Sequence, residues 1–117
     1  MTIHLYGIPN CDTVKKARKW LDEQRLDYTF HDYKKEGADA GLLGKWSDAV
    51  GWEVLLNRAG TTFRKLADAD KADIDRDKAI ALMVEHPSTI KRPVVTVESS
   101  ERVLVGFAVS EWENALL

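Results

Sequence analysis

The sequence predicts an α/β protein: a mixed sheet with a helical insertion between its second and third strands. Three observations predict it. The chain up to Tyr33 reads strand, helix, strand. The stretch from about residue 39 to residue 86 reads as helices joined by turns, with no strand. From Val94 onward the pattern is strand, strand, helix. The length of 117 residues suits one domain with one core, so residues 1–117 are expected to be a single domain.

Ile3 and Leu5 alternate with His4 and Tyr6, the period of a half-buried strand. Gly7 and Pro9 break that strand into a loop. A helix is expected from about Cys11 to Gln24, capped by Asn10 or Asp12, with Val14, Ala17 and Leu21 as its buried stripe. Leu26 closes it. Tyr28–Tyr33 reads as the second strand, which Tyr33 ends, with Tyr28 and Phe30 on one face. Two strands joined by a helix must run parallel, through a right-handed crossover.

Lys34–Ala38 is expected to be a polar break. Asp39 can cap a helix from about Ala40 to Val50, striped by Leu42, Leu43, Trp46 and Val50 and closed by Gly51. Trp52–Leu56 reads as a further short helical piece, and Asn57–Gly60 as a turn. Thr61 or Thr62 can start another short helix through Leu66. Ala67–Asp73 is polar, and a helix follows from about Asp75 to Glu85 with Pro87 just beyond it. Val94–Val97 and Val103–Val105 read as an antiparallel hairpin. A last helix is expected over Glu111–Leu116, started by Ser110.

Composition narrows the function classes. Hydrophobic residues make up 44% and charged residues 31%, the balance of a folded globular chain rather than a disordered one. The net charge of −2 gives no general basic field, so direct nucleic-acid binding is not expected. No apolar run approaches the roughly 20 residues of a membrane span. Neither a basic nor an apolar leader segment opens the chain. A single cysteine cannot form an internal disulfide, so a reducing cytoplasm is the expected compartment, and a monomer the expected state. The three histidines and one cysteine show no metal-ligand spacing, so no metal is expected. His4 and His31 read as structural, His86 as a helix-end cation, and the four tryptophans as packing.

Cys11 is the residue that points to chemistry. A lone cysteine is most often an inert, buried thiol. This one follows a strand and opens a helix, at the strand end where open α/β sheets place their ligands. Unpaired N–H groups and the helix dipole there stabilise a thiolate over a thiol. Lys15 lies one helical turn further on the same face and adds positive charge.

The order of elements, with a cysteine after the first strand, suggests a thioredoxin-like fold. More specific pieces are Tyr6-Gly7-x-x-x-Cys11, Leu55-Leu56-Asn57-Arg58 and His86-Pro87…Arg92-Pro93. Together they resemble the ArsC/Spx family of arsenate reductases and Spx regulators. Asn10-Cys11-Asp12-Thr13, Lys15-Lys16-Ala17-Arg18, Phe30-His31-Asp32-Tyr33, Gly60-Thr61-Thr62, Arg64-Lys65-Leu66 and Ile90-Lys91-Arg92-Pro93 are most similar to its YffB branch. The resemblance implies a cis Pro93 facing Cys11. It also implies a glutathione-dependent thiol reductase, with glutathione as co-substrate and a thiol or disulfide as substrate. Cys11 would be the nucleophile, and Arg92 would hold the thiolate or a glutathione carboxylate. Pro93, Arg58 and Lys15 would complete the glutathione site.

Departures from the relatives separate the alternatives. Arsenate reductases of this type carry a histidine where Gly7 stands, and three arginines around the cysteine. Here Arg92 matches, Asn57 takes the second place with Arg58 one step on, and the third falls near Gly106. An oxyanion needs several charge-assisted donors, so arsenate reduction is the weaker alternative. The Spx regulators usually carry Cys-x-x-Cys, but the second position here is Val14. That removes the redox switch, while a non-enzymatic role in RNA polymerase binding stays open.

Overall fold

The computed structural model describes residues 2–117. In chain order the elements are β1 (Ile3–Gly7), α1 (Asp12–Glu23), β2 (Tyr28–Asp32), α2 (Tyr33–Glu36), α3 (Ala40–Val50), α4 (Trp52–Leu55), α5 (Thr61–Arg64), α6 (Asp68–Lys71), α7 (Arg76–Glu85), β3 (Val94–Val97), β4 (Val103–Val105) and α8 (Val109–Leu116), with a 3₁₀ turn at Pro87–Thr89. The chain divides into two compact units. The first runs up to Tyr33 and resumes at Arg92; the second is Lys34–Lys91, the expected insertion with wider limits.

The first unit is built on a four-stranded sheet of order β2-β1-β3-β4. β1 and β2 are parallel, and the other two pairings are antiparallel. The strand period of two decides what each face carries. Ile3, Leu5, Val95 and Leu104 point to one face and form a core with Val14, Ala17 and Leu21 of α1 and Trp112 and Leu116 of α8. His4, Tyr6 and His31 point to the other face, since His4 pairs with Thr29 and Tyr6 with His31. Trp112 is fully buried, and its indole N–H donates to the Gly106 carbonyl at 3.1 Å. Trp20 and Phe107 meet it edge-on.

The end of α1 is fixed by its backbone. Arg25 adopts a left-handed φ of 57°. Its N–H donates to Asp22 O at 3.1 Å, and Leu26 N–H donates to Leu21 O at 3.0 Å. That pair of bonds satisfies the last helical carbonyls and turns Leu26 back onto Leu21.

In the second unit Asp39 caps α3, its carboxylate accepting from Leu42 N–H at 3.2 Å. Gly51 closes that helix at φ 91°. Leu43 and Trp46 are buried, and Leu42 and Val50 are half-buried. Asp75 caps α7 and accepts from Lys78 N–H at 2.8 Å. The Lys78 ammonium donates to the carbonyls of Ala69 and Ala72. Leu56 forms a β-bridge to Ile90, Asn57 N–H donates to Thr89 O, and Lys91 N–H donates to Leu55 O.

Several boundaries differ from expectation. Cys11 itself is the N-cap of α1, and neither Asn10 nor Asp12 caps it. Tyr33 opens α2 instead of ending β2, and the expected polar break is partly that helical turn. α5 starts at Thr61 as expected but ends at Arg64, two residues short of Leu66, and α6 occupies part of the polar 67–73 stretch. The last helix begins at Val109, two residues early. Single turns of four residues are too short to print a helical period on a sequence, which is why α2 and α6 read there as polar loops.

Candidate active site

The candidate site lies in the first unit, where β1 and β2 end and β3 begins. Gly7 pairs with Asp32, and Tyr6 with Val94. The register therefore brings three segments to one end of the sheet: the Ile8–Cys11 loop, Tyr33, and Arg92-Pro93. Pro93 is buried and follows a cis peptide bond from Arg92, as the resemblance implied. Gly106 N–H donates to the Pro93 carbonyl at 2.8 Å, so the chain after β4 anchors that corner. Gly106 takes φ 77°, which a side-chain-bearing residue adopts only with strain.

Cys11 is half-buried and packs against the core. As N-cap it has an extended backbone, φ −139° and ψ 124°, and its carbonyl accepts the first helical bond from Lys15 N–H at 2.9 Å. Its side chain makes no capping hydrogen bond. The first-turn N–H groups of α1 thus donate no capping hydrogen bond to this side chain. Asp12, in the same turn, brings a competing negative charge. Lys15 stands exposed one turn further along.

Arg92 is half-exposed. Tyr33 is 4% exposed, and its hydroxyl has no hydrogen-bond partner among the described residues. Burial pushes the Tyr33 phenol well above its ordinary range; Tyr6 adds to the rise and the Arg92 guanidinium opposes it. A neutral phenol thus belongs to the surroundings of Arg92. The sequence hid this role, because Tyr33 reads there as the last residue of a strand. The signal is in the strand pairing: Asp32 lies opposite Gly7, so the next residue falls beside the cysteine loop.

Arg58 belongs to the second unit, in the turn after α4. It is exposed, and its guanidinium carbon lies 5.6 Å from the centre of the Trp52 ring. The side chain of neighbouring Asn57 accepts from Ala59 N–H at 3.2 Å and so shapes that turn. His86 caps the C-terminus of α7 with its ring 3.8 Å from Glu85.

A sheet of order 2-1-3-4, a cysteine on the first loop and a cis proline just before the third strand define a thioredoxin-like protein whose one cysteine lies on that loop. The chain belongs to the ArsC family, whose model matches residues 6–115. A solved YffB protein is 55% identical, covers 98% of this chain and 99% of its own, and superposes with a TM-score of 0.93. An uncharacterised protein of Haemophilus influenzae is 39% identical over 97% of each chain. Global transcriptional regulator Spx 1 of Lactococcus lactis is 28% identical over 93% of this chain and 84% of its own.

Proposed function

We propose that this chain is a glutathione-dependent monothiol reductase acting in a reducing compartment such as the cytoplasm. The observation that carries the reading is Cys11: the chain's one cysteine, at the N-cap of α1, on the loop that follows β1. ArsC-family membership supports oxidoreductase chemistry at that loop. With no second cysteine, a mixed disulfide on Cys11 must be resolved by a thiol from outside.

The steps balance as thiol–disulfide exchange. The Cys11 thiolate attacks one sulfur of a substrate disulfide and expels the other as a thiolate, which takes a proton from solvent. Cys11 is then oxidised to a mixed disulfide. If the substrate is a glutathione mixed disulfide, the bound half is glutathione. A glutathione thiolate attacks that sulfur, forms glutathione disulfide and returns Cys11 as thiolate. Arg92 holds the Cys11 thiolate or a glutathione carboxylate, with Lys15 as a further cationic candidate.

The test is iodoacetamide alkylation of Cys11 with and without glutathione, followed by mass spectrometry after glutathione disulfide is added. Protection by glutathione, one glutathione on Cys11, and its release by excess glutathione support the reading. An unprotected thiol that forms no mixed disulfide overturns it. The Spx relative favours a second reading, a polymerase-binding regulator. Capture of purified RNA polymerase by the Cys11→Ser variant, which cannot turn over, supports that one.

A further inference from the structure

Arg92 carries the charge that the proposed reaction uses, yet among the described residues its side chain makes no hydrogen bond or ion pair. Where the guanidinium stands is therefore set by its backbone. The chain re-enters the first unit at Arg92, so within that unit the backbone there is fixed by the residues that follow. Val94 is paired on both sides, to Tyr6 of β1 and to Val105 of β4. Pro93 has no N–H, and its carbonyl is the one backbone group it can bond through. That carbonyl accepts from Gly106 N–H at 2.8 Å.

Gly106 is held in turn from the core. It leaves β4 at φ 77°, and its carbonyl accepts from the Trp112 indole N–H at 3.1 Å. Trp112 is fully buried in α8. Trp20 and Phe107 meet its ring edge-on, with ring centres 5.9 and 4.9 Å away. A ring packed this way shifts only if its neighbours shift. A buried indole N–H needs an acceptor. Here the acceptor is the residue that also holds the corner of the site. Two hydrogen bonds thus run in series out of the core, from Trp112 to Gly106 and from Gly106 to Pro93.

We propose that Trp112 is a positioning residue for the thiol reaction. Its indole N–H holds Gly106, Gly106 holds the Pro93 carbonyl, and Arg92, one residue before, is kept at the end of the sheet where the Cys11 loop lies. Without the indole bond, Gly106 regains the freedom of a glycine that follows a three-residue edge strand. The Pro93 carbonyl then loses its fixed donor. The guanidinium samples more positions and meets its anionic partner in fewer of them. Trp112 itself touches no substrate and moves no proton. The role exists only if Arg92 serves the reaction as proposed above, so the corner and the turnover are read separately.

The test is Trp112→Phe in the full chain, which keeps an aromatic ring and removes the N–H. Amide exchange reads the corner: protection of Gly106 N–H falls about three- to tenfold relative to the β1 amides, the loss of one hydrogen bond's net contribution. Turnover of a glutathione mixed disulfide reads the site: kcat/KM falls by a similar factor, and in an Arg92→Gln background the same change has no further effect. A role in packing alone would slow both backgrounds alike. If Trp112→Phe does not fold, the unaltered chain decides: exchange of the Trp112 indole N–H slows when glutathione saturates the site, because coupling is reciprocal. Gly106 protection unchanged relative to β1, an equal loss of kcat/KM in both backgrounds, or indole exchange indifferent to glutathione overturns the role of Trp112 while the glutathione reading stands. An unaltered chain that turns over no glutathione mixed disulfide overturns that reading, and the role with it.

Discussion

Gly7 and Val14 approach so closely that a Cβ on Gly7 would stand 2.9 Å from Val14 Cγ2. Gly7 is buried at the end of β1, and Val14 is fully buried in the first turns of α1. The contact sets how near the helix start, and with it Cys11, lies to the strand. With valine at position 14, a side chain at position 7 has no room on this face. Gly7→Ala is expected to destabilise by about 1–3 kcal/mol, because a β-branched neighbour on a helix cannot rotate away. Urea unfolding measures it. The double variant Gly7→Ala/Val14→Ala should lose less than the sum of the single changes, the mark of direct coupling.

Tyr33→Phe separates stability from chemistry. The Tyr33 hydroxyl is buried without a partner among the described residues, and an unpaired buried hydroxyl costs about 1–3 kcal/mol. Its removal is expected to raise the melting temperature. The pH dependence follows from the raised ionisation of the phenol. In the unfolded chain tyrosine ionises near about pH 10. Above that pH the unfolded state loses a proton that the folded state keeps, so stability falls as pH rises. Denaturation between pH 8 and 11, as about three or four urea curves, checks the sign: the alkaline decline is shallower in Tyr33→Phe.

The sequence makes the scaffold legible because its strands and longer helices bury one face each. Val94–Val97, Val103–Val105 and Ala40–Val50 fall at the residues that periodicity predicts. Cys11 and Arg92-Pro93 are legible as local motifs, and the cis bond follows from the resemblance. What stays hidden depends on pairing between distant segments. Tyr33 reaches the site through the β1–β2 register, and Glu98 reaches His4 across 94 residues of chain. The single turns α2 and α6 stay hidden too, since a polar four-residue turn carries no apolar stripe.

Arg25 offers a stabilising change away from the site. It holds a left-handed φ of 57° to close α1, a conformation that strains any side chain with a Cβ. Glycine adopts it freely, at the expense of a more flexible unfolded chain. Arg25→Gly is expected to stabilise by about 0.5–1 kcal/mol, with the bonds from residues 25 and 26 back to Asp22 and Leu21 kept. Thermal unfolding monitored by circular dichroism reads this as a rise of a few degrees. A fall would mean that the arginine side chain contributes more than its backbone strain costs.

Arg92 tests the chemistry at the cis-proline corner. Cys11→Ser removes the sulfur that must form the mixed disulfide, so turnover of a glutathione mixed disulfide is expected to vanish. Arg92→Gln keeps a hydrogen-bond donor on a shorter side chain and removes the charge. A charge-assisted bond contributes about 1.5–3 kcal/mol, so kcat/KM should fall roughly ten- to hundredfold. Stability should change by less than about 0.5 kcal/mol, since Arg92 is half-exposed. Arg92→Lys should recover only part of the rate, because an ammonium cannot grip a carboxylate with two parallel bonds. Alkylation by iodoacetamide, which makes no use of a glutathione site, then divides the two roles. If Arg92→Gln slows turnover and leaves alkylation unchanged, the guanidinium acts on the bound glutathione carboxylate. If both slow together, it acts on the Cys11 thiolate.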